Sequence, residues 1–135
     1  MSQPIDDGVL TDTDQAILGI CRGIVMPDGT AVQAFMDRPT DWMRRLPVII
    51  IRPISGNGAG HGLHENYEYF TESWATDRSS ARALAMALRG RVRSAWLDSA
   101  GPLNSARTRN LPIPQPTGRD GMWRYDLTFG ASTRA

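Results

Sequence analysis

The residues able to carry chemistry are few and scattered. The densest group is His61, His64 and Glu65, in the run SGNGAGHGLHEN over 55–66. Zinc and similar ions take about four N, S or O ligands. Two imidazoles and a carboxylate in a glycine-rich connection, with no cysteine or third histidine nearby, leave such a site incomplete. The GNGAGHG portion has the glycine content of a phosphate-cradling loop. It lacks the Lys-Ser/Thr ending and does not open onto a helix, so it brings no helical N–H groups to an anion. Ser79 and Ser80 stand at a helix start with no base within reach, where capping explains them. Glu65, Glu68 and Glu72 lie along one strand, with no acidic partner segment to complete an acid–base pair. The sequence therefore offers no catalytic residue, no metal ligand set and no cofactor site, and a non-enzymatic role is expected.

The arginines are the remaining chemistry. All fifteen basic residues are arginine, which favours planar, bidentate contacts. On a helical wheel, Arg78, Arg82, Arg89 and Arg93 share one flank of the longest expected helix, while Arg107, Arg109 and Arg119 fall in expected loops. They are suited to phosphates. However, the net charge is only +1 and no aromatics interleave with them, so salt links between subunits are the preferred reading. Charge is also unevenly distributed. Residues 1–41 carry seven acids against two arginines, giving −5, whereas residues 78–135 carry ten arginines against three acids, giving +7. A chain acidic at one end and basic at the other suits head-to-tail contact between copies.

The elements that position these groups follow from periodicity. Residues 1–10 read as a loose acidic arm. Thr11 to Asp14 has the capping-box form, opening a helix to about Val25 whose core face is Ile17, Leu18, Cys21, Ile24 and Val25. Ala16, Gly19 and Gly23 form a small-residue stripe on it. Residues 30–36 suggest a short strand, and 40–45 a helical turn or two with Trp42 and Met43 inward. LPVIIIRPI, at 46–54, reads as a strand buried on both faces, with Pro47 and Pro53 confining its ladder to the middle. Residues 55–66 form a long loop reaching away from the sheet, and a strand follows over 67–75. The long helix then starts at a cap on Thr76 or Asp77. Its apolar residues at 81, 84, 85, 88, 92, 95 and 96 form one face, and Gly101-Pro102 lies past its end. Opposite that face, Ala83, Ala87, Gly90 and Ser94 make a second small-residue stripe. This stripe is either a plain Ala-rich solvent face or a surface for close packing against a second helix, the first helix or a subunit. Residues 103–110 suggest another strand, and LPIPQPTGRD, at 111–120, reads as irregular. The strand from Trp123 sets Trp123, Tyr125, Leu127 and Phe129 against Arg124, Asp126 and Thr128, a half-buried pattern.

At 135 residues and 41% apolar content, the chain is expected to form one domain. No apolar run of membrane-spanning length occurs, and MSQPIDDG has no secretory pattern. The lone Cys21 excludes an internal disulfide and fits a buried thiol made in a reducing compartment.

The order of these elements resembles the tail-terminator (minor tail) proteins of long-tailed bacteriophages, particularly those of actinobacteria. The resemblance is carried by RLPVIIIRPISG at 45–56, the glycine loop, TESWATDRSSARALAMALRGRV at 71–92, and WRYDLTFGAST at 123–133. An acidic N-terminal helix before a Pro-Thr-Asp-Trp segment also fits. The glycine loop and the 111–120 insert do not match residue by residue. The resemblance implies an α+β fold, with a mostly antiparallel sheet of about four strands flanked by two main helices. It implies a virion protein, made in the host cytoplasm, that forms a homo-oligomeric ring of six copies. The ring would cap the tail tube, end its polymerisation and join the head connector protein, with DNA passing through the lumen unread. Major tail tube protein, connector and further copies of the chain would be its partners, and no membrane would be involved. Asp12, Asp14, Arg78, Arg82, Arg89, Arg93 and Gly90 are the expected interface residues. Gly56, Gly58, Gly60, His61 and His64 form the loop expected to order against a neighbour or the tube. Two alternatives are another connector component (head-closure or tail-completion) and a small arginine-rich nucleic-acid-binding module.

Overall fold

The computed structural model describes residues 11–57 and 66–133. The chain runs α1 (Asp12–Arg22), β1 (Gln33–Phe35), a single 3-10 turn (Trp42–Arg44), β2 (Val48–Asn57), β3 (Asn66–Ala75), α2 (Arg78–Leu97), β4 (Leu103–Thr108), β5 (Ile113–Gln115) and β6 (Trp123–Thr133). The expected arm at 1–10 and most of the expected glycine loop lie outside the described residues.

The strands form one six-stranded sheet in the order β1-β2-β3-β6-β4, with β5 also paired to β6. Only β1–β2 is parallel; every other pairing is antiparallel. Both helices pack on one face, so the fold is α+β with a mostly antiparallel sheet, as expected, but with more strands. One addition is β5, inside the proline-rich stretch read as irregular. It pairs Ile113 with Asp126 and Gln115 with Arg124, and Pro114 is tolerated because this short strand lies at the sheet's edge.

The helix-facing core is built from Ile49 and Ile51 of β2, Tyr69 of β3, Leu127 and Phe129 of β6, and Ile17, Leu84, Leu88 and Val92 of the helices. Val48, Ile49, Ile50 and Ile51 are all buried, since Val48 and Ile50 pack on the opposite face with Trp42 and Trp74. The β2–β3 ladder continues past Pro53 to Asn57↔Asn66 after a register shift between Pro53 and Ser55. The bulge absorbs the missing donor, so Pro53 does not end the strand. Gly56 accordingly lies in β2, opposite Tyr67, rather than in a loop.

Both helix starts follow their sequence signals. In α1, the Asp14 N–H donates to Thr11 Oγ1 at 3.0 Å and the Thr11 N–H to Asp14 Oδ2 at 3.2 Å. Asp77 caps α2, accepting from the Ser80 N–H at 2.8 Å. The ends and rims differ from expectation. The first helix stops at Arg22 with Gly23 as its cap. Val25 then turns outward into a bridge with Ala31 and is 60% exposed instead of joining the core. Met43, in the middle of the 3-10 turn, is likewise more than a third exposed, as are Trp96 and Trp123, which lie at the ends of α2 and β6 where the packing face runs out. The two small-residue stripes do not interlock. A side chain added at Gly19 or Gly90 would meet nothing within 4 Å, so neither glycine exists for close approach inside this chain. The helices instead meet the shared core through half-buried Ala16 and Ala87.

Replacing Thr11 with Ala removes one side of the capping box and is expected to cost about 1 kcal/mol, read as a lower urea midpoint. Burial pushes the Cys21 thiol up to about 12. A maleimide should therefore leave the folded chain unlabelled at pH 8 and react only after denaturation.

Candidate functional site

The expected interface residues separate into spent and unspent groups. Asp14 is buried, and besides its capping bonds its Oδ1 accepts from the Tyr69 hydroxyl at 2.7 Å. Burial, then this carboxylate, raises the Tyr69 phenol well above its ordinary value. Asp14 is thus a packing and capping residue with both oxygens engaged within the chain. Arg78 donates from Nε to the Tyr125 hydroxyl at 3.2 Å. Asp12, Arg82 and Arg93 are exposed, and among the described residues none of them has a partner. Arg89 is half-buried, and its Nε is buried without a hydrogen-bond acceptor. Gly58, Gly60, His61 and His64 lie outside the described residues, so their expected role has no geometry to report. Among the described residues, no group of three or more His, Cys, Asp and Glu side chains is placed to hold a metal.

α2 and β4 bring three of the arginines together. Arg89, Arg93 and Trp96 from the second half of α2, with Arg107 from β4, line a groove of about 340 Å³. A neighbouring depression of about 220 Å³ shares Trp96 and Arg107 with it and reaches Arg109 and Glu68. In this last pair, Arg109 donates from Nε and Nη2 to the two carboxylate oxygens of Glu68. The helix flank was visible in the sequence. Arg107 joins it because β4, the strand suggested over 103–110, packs beside α2.

A second constellation was missed. On the sheet face away from the helices, the β3–β6 register sets Glu72 directly opposite Asp126, so Glu72 does have an acidic partner. Two neighbouring carboxylates are the raw material of acid–base catalysis when one is free to exchange a proton. Here both are neutralised. Arg124 grips Asp126 at 2.7 and 2.9 Å and approaches Glu72 at 3.4 Å. Arg52 lies 3.0 Å from Glu72, and Trp74 Nε1 donates to Glu72 at 3.0 Å. The Arg124 guanidinium also lies over Phe70 and Trp74, 5.8 and 5.6 Å from the ring centroids. The cluster ties β2, β3 and β6 together on one face of the sheet, and its chemistry is neutralisation. The alternation of β6 carried a signal for it, since Arg124 and Asp126 share a face, but that face reads as solvated when β3 is not aligned beside it.

Burial raises the Asp126 carboxyl above its ordinary value, with Glu72 adding to the effect and Arg124 opposing it. Between the ordinary and the raised value, the folded chain binds more protons than the unfolded one. This group's contribution to stability therefore falls as pH rises through that window. An Asp126→Asn variant lacks that component, so it should gain stability relative to the parent as pH climbs from the ordinary carboxylate value through the raised one, measured by urea unfolding at each pH.

No protein-family model and no curated protein matches the sequence. Among solved structures, the chain is similar to one in the virion of a native gene transfer agent particle, with a TM-score of 0.58 at 18% identity. The match covers 90% of this chain and 93% of that one. At that identity the likeness is one of fold, and it extends over nearly the whole length of both chains.

Proposed function

We propose that the chain is a structural component of a phage-like virion, acting at the junction of head and tail. The observation that carries this reading is the end-to-end fold likeness to a chain of a gene transfer agent virion. In this reading, copies of the chain form a ring, six in number, that caps the finished tail tube and stops its growth. The ring presents a surface to the head connector, and DNA passes through its lumen without sequence readout. The charge polarity of the chain supports association between copies. So do the exposed Asp12 and the unspent Arg82, Arg89 and Arg93. Arg78 and the open stripe around Gly90 extend the same contact. The connection between β2 and β3, with Gly58, Gly60, His61 and His64, would meet the tube or a neighbour.

Electron microscopy of particles made without this protein tests the assignment. Abnormally long tails are the expected result. Tails of normal length, detached from heads, would instead assign the chain to head closure or tail completion. Normal particles would remove the junction role altogether.

A further inference from the structure

The groove between α2 and β4 combines features that together specify an occupant. Arg93 and Arg107 are exposed, and with Arg89 they form no ion pair among the described residues. The buried, unpartnered Nε of Arg89 lies in the same wall. Buried donors are almost always satisfied, so this one marks a place where an acceptor is missing. Val92 and Ala106 supply apolar surface, and Trp96 is 42% exposed at the rim. Unneutralised guanidiniums beside an exposed indole suit carboxylates flanked by apolar side chains.

The chain contains a segment of that composition. Ile5-Asp6-Asp7-Gly8-Val9-Leu10 holds two adjacent carboxylates between apolar residues, with no base in the first twenty-one positions. Its continuation, Asp12, is exposed in the first turn of α1. α1 and the groove lie on different flanks of α2. Arg91 projects on the α1 side, where its guanidinium occupies the space above Gly23, whereas Arg89 and Arg93 project toward β4. One molecule therefore presents acid on one side and an unfilled basic groove on the other, which is the arrangement for heterologous pairing. The ten residues before Thr11 can span up to roughly 33 Å when extended, enough to cross onto an adjoining molecule.

We propose that the Arg89–Arg93–Arg107 groove receives the acidic N-terminal segment of a second copy of this chain. Asp6 and Asp7 meet the guanidiniums, and the flanking apolar residues lie against Trp96. The proposal deepens the ring reading and rests on it for the presence of neighbouring copies.

The test titrates a fluorescently labelled peptide of residues 1–12 into the full-length protein and follows anisotropy. Salt-sensitive binding is expected. It should weaken about tenfold or more when Arg93→Glu and Arg107→Glu are combined, and similarly when the peptide carries Asp6→Asn and Asp7→Asn. The milder Arg93→Gln/Arg107→Gln pair, with circular dichroism confirming its fold, should weaken binding in the same direction. Absence of binding, both to the unaltered chain and to one carrying Asp6→Asn/Asp7→Asn, would overturn the proposal. Binding confined to the latter, with the unaltered chain sedimenting as a monomer, would also overturn it and assign the groove to the chain's own segment. Displacement of the peptide by short duplex DNA at lower concentration than by unlabelled peptide would make the groove a nucleic-acid site. The ring reading fails separately: peptide binding with normal tails in particles lacking the protein would keep the groove and remove the ring.

Discussion

The pairing of β3 with β6 sets the positions of almost everything else. Nine consecutive residue pairs join the two strands, from Tyr67↔Ala131 to Ala75↔Trp123. Side chains alternate between faces, so this single register decides what lies beneath the helices and what lies outside. On the helix side it stacks Tyr69 on Phe129 at 5.5 Å and aligns the Thr71 hydroxyl with the Leu127 carbonyl at 2.8 Å. On the other side it sets Glu72 against Asp126. A slip of one residue would place Arg124 and Asp126 under α2 and expel Leu127 and Phe129. The apolar core and the charged cluster thus specify the same register from opposite faces of one sheet.

The arginines fall into two populations with different consequences. Arg45, Arg52, Arg109 and Arg124 are paired with Asp41, Glu72, Glu68 and Asp126 respectively. Most of these pairs lie at or near the surface, where each contributes little to stability. The Glu72–Asp126 cluster is different, because removing one arginine there would strand a buried carboxylate. The second population, Arg82, Arg89, Arg93 and Arg107, gathers along α2 and β4 without acidic partners among the described residues. Four of the ten arginines in residues 78–135 therefore stand along α2 and β4 without such a partner.

Strong local signals were read correctly from sequence. The Thr11 capping box, the Asp77 cap, the Val48–Ile51 run and the apolar face of α2 rest on interactions within a few residues, which a linear pattern encodes. Failures came where the deciding partner is distant in the chain. Asp126 looked solvent-facing because the strand bearing Glu72 and the lid formed by Arg52 come from elsewhere. Ile113–Gln115 looked irregular because its prolines exclude a central strand but not a short edge one. Trp96 and Val25 satisfied helical periodicity yet lie beyond the neighbouring layer, which periodicity cannot measure. The groove was half legible. Two of its arginines, Arg89 and Arg93, and its small residue, Gly90, sit on one helix, but Arg107 entered only once β4 had a place in the sheet.

Thr13 and Thr133 touch through their hydroxyls at 3.2 Å, and that contact fixes more than one helix end. Thr133 pairs with Leu103, Ala131 with Tyr67, and Asn57 with Asn66. The points where the chain enters α1, leaves β6 and passes from β2 to β3 are therefore gathered at one pole of the molecule. The described chain thus begins at α1, ends at β6 and leaves β2 on one side, while the start of α2 and the β1 edge lie on the other. A protein laid out in this way has a built-in up and down, so copies set side by side in one orientation would carry the start of α1 and the end of β6 on a common side.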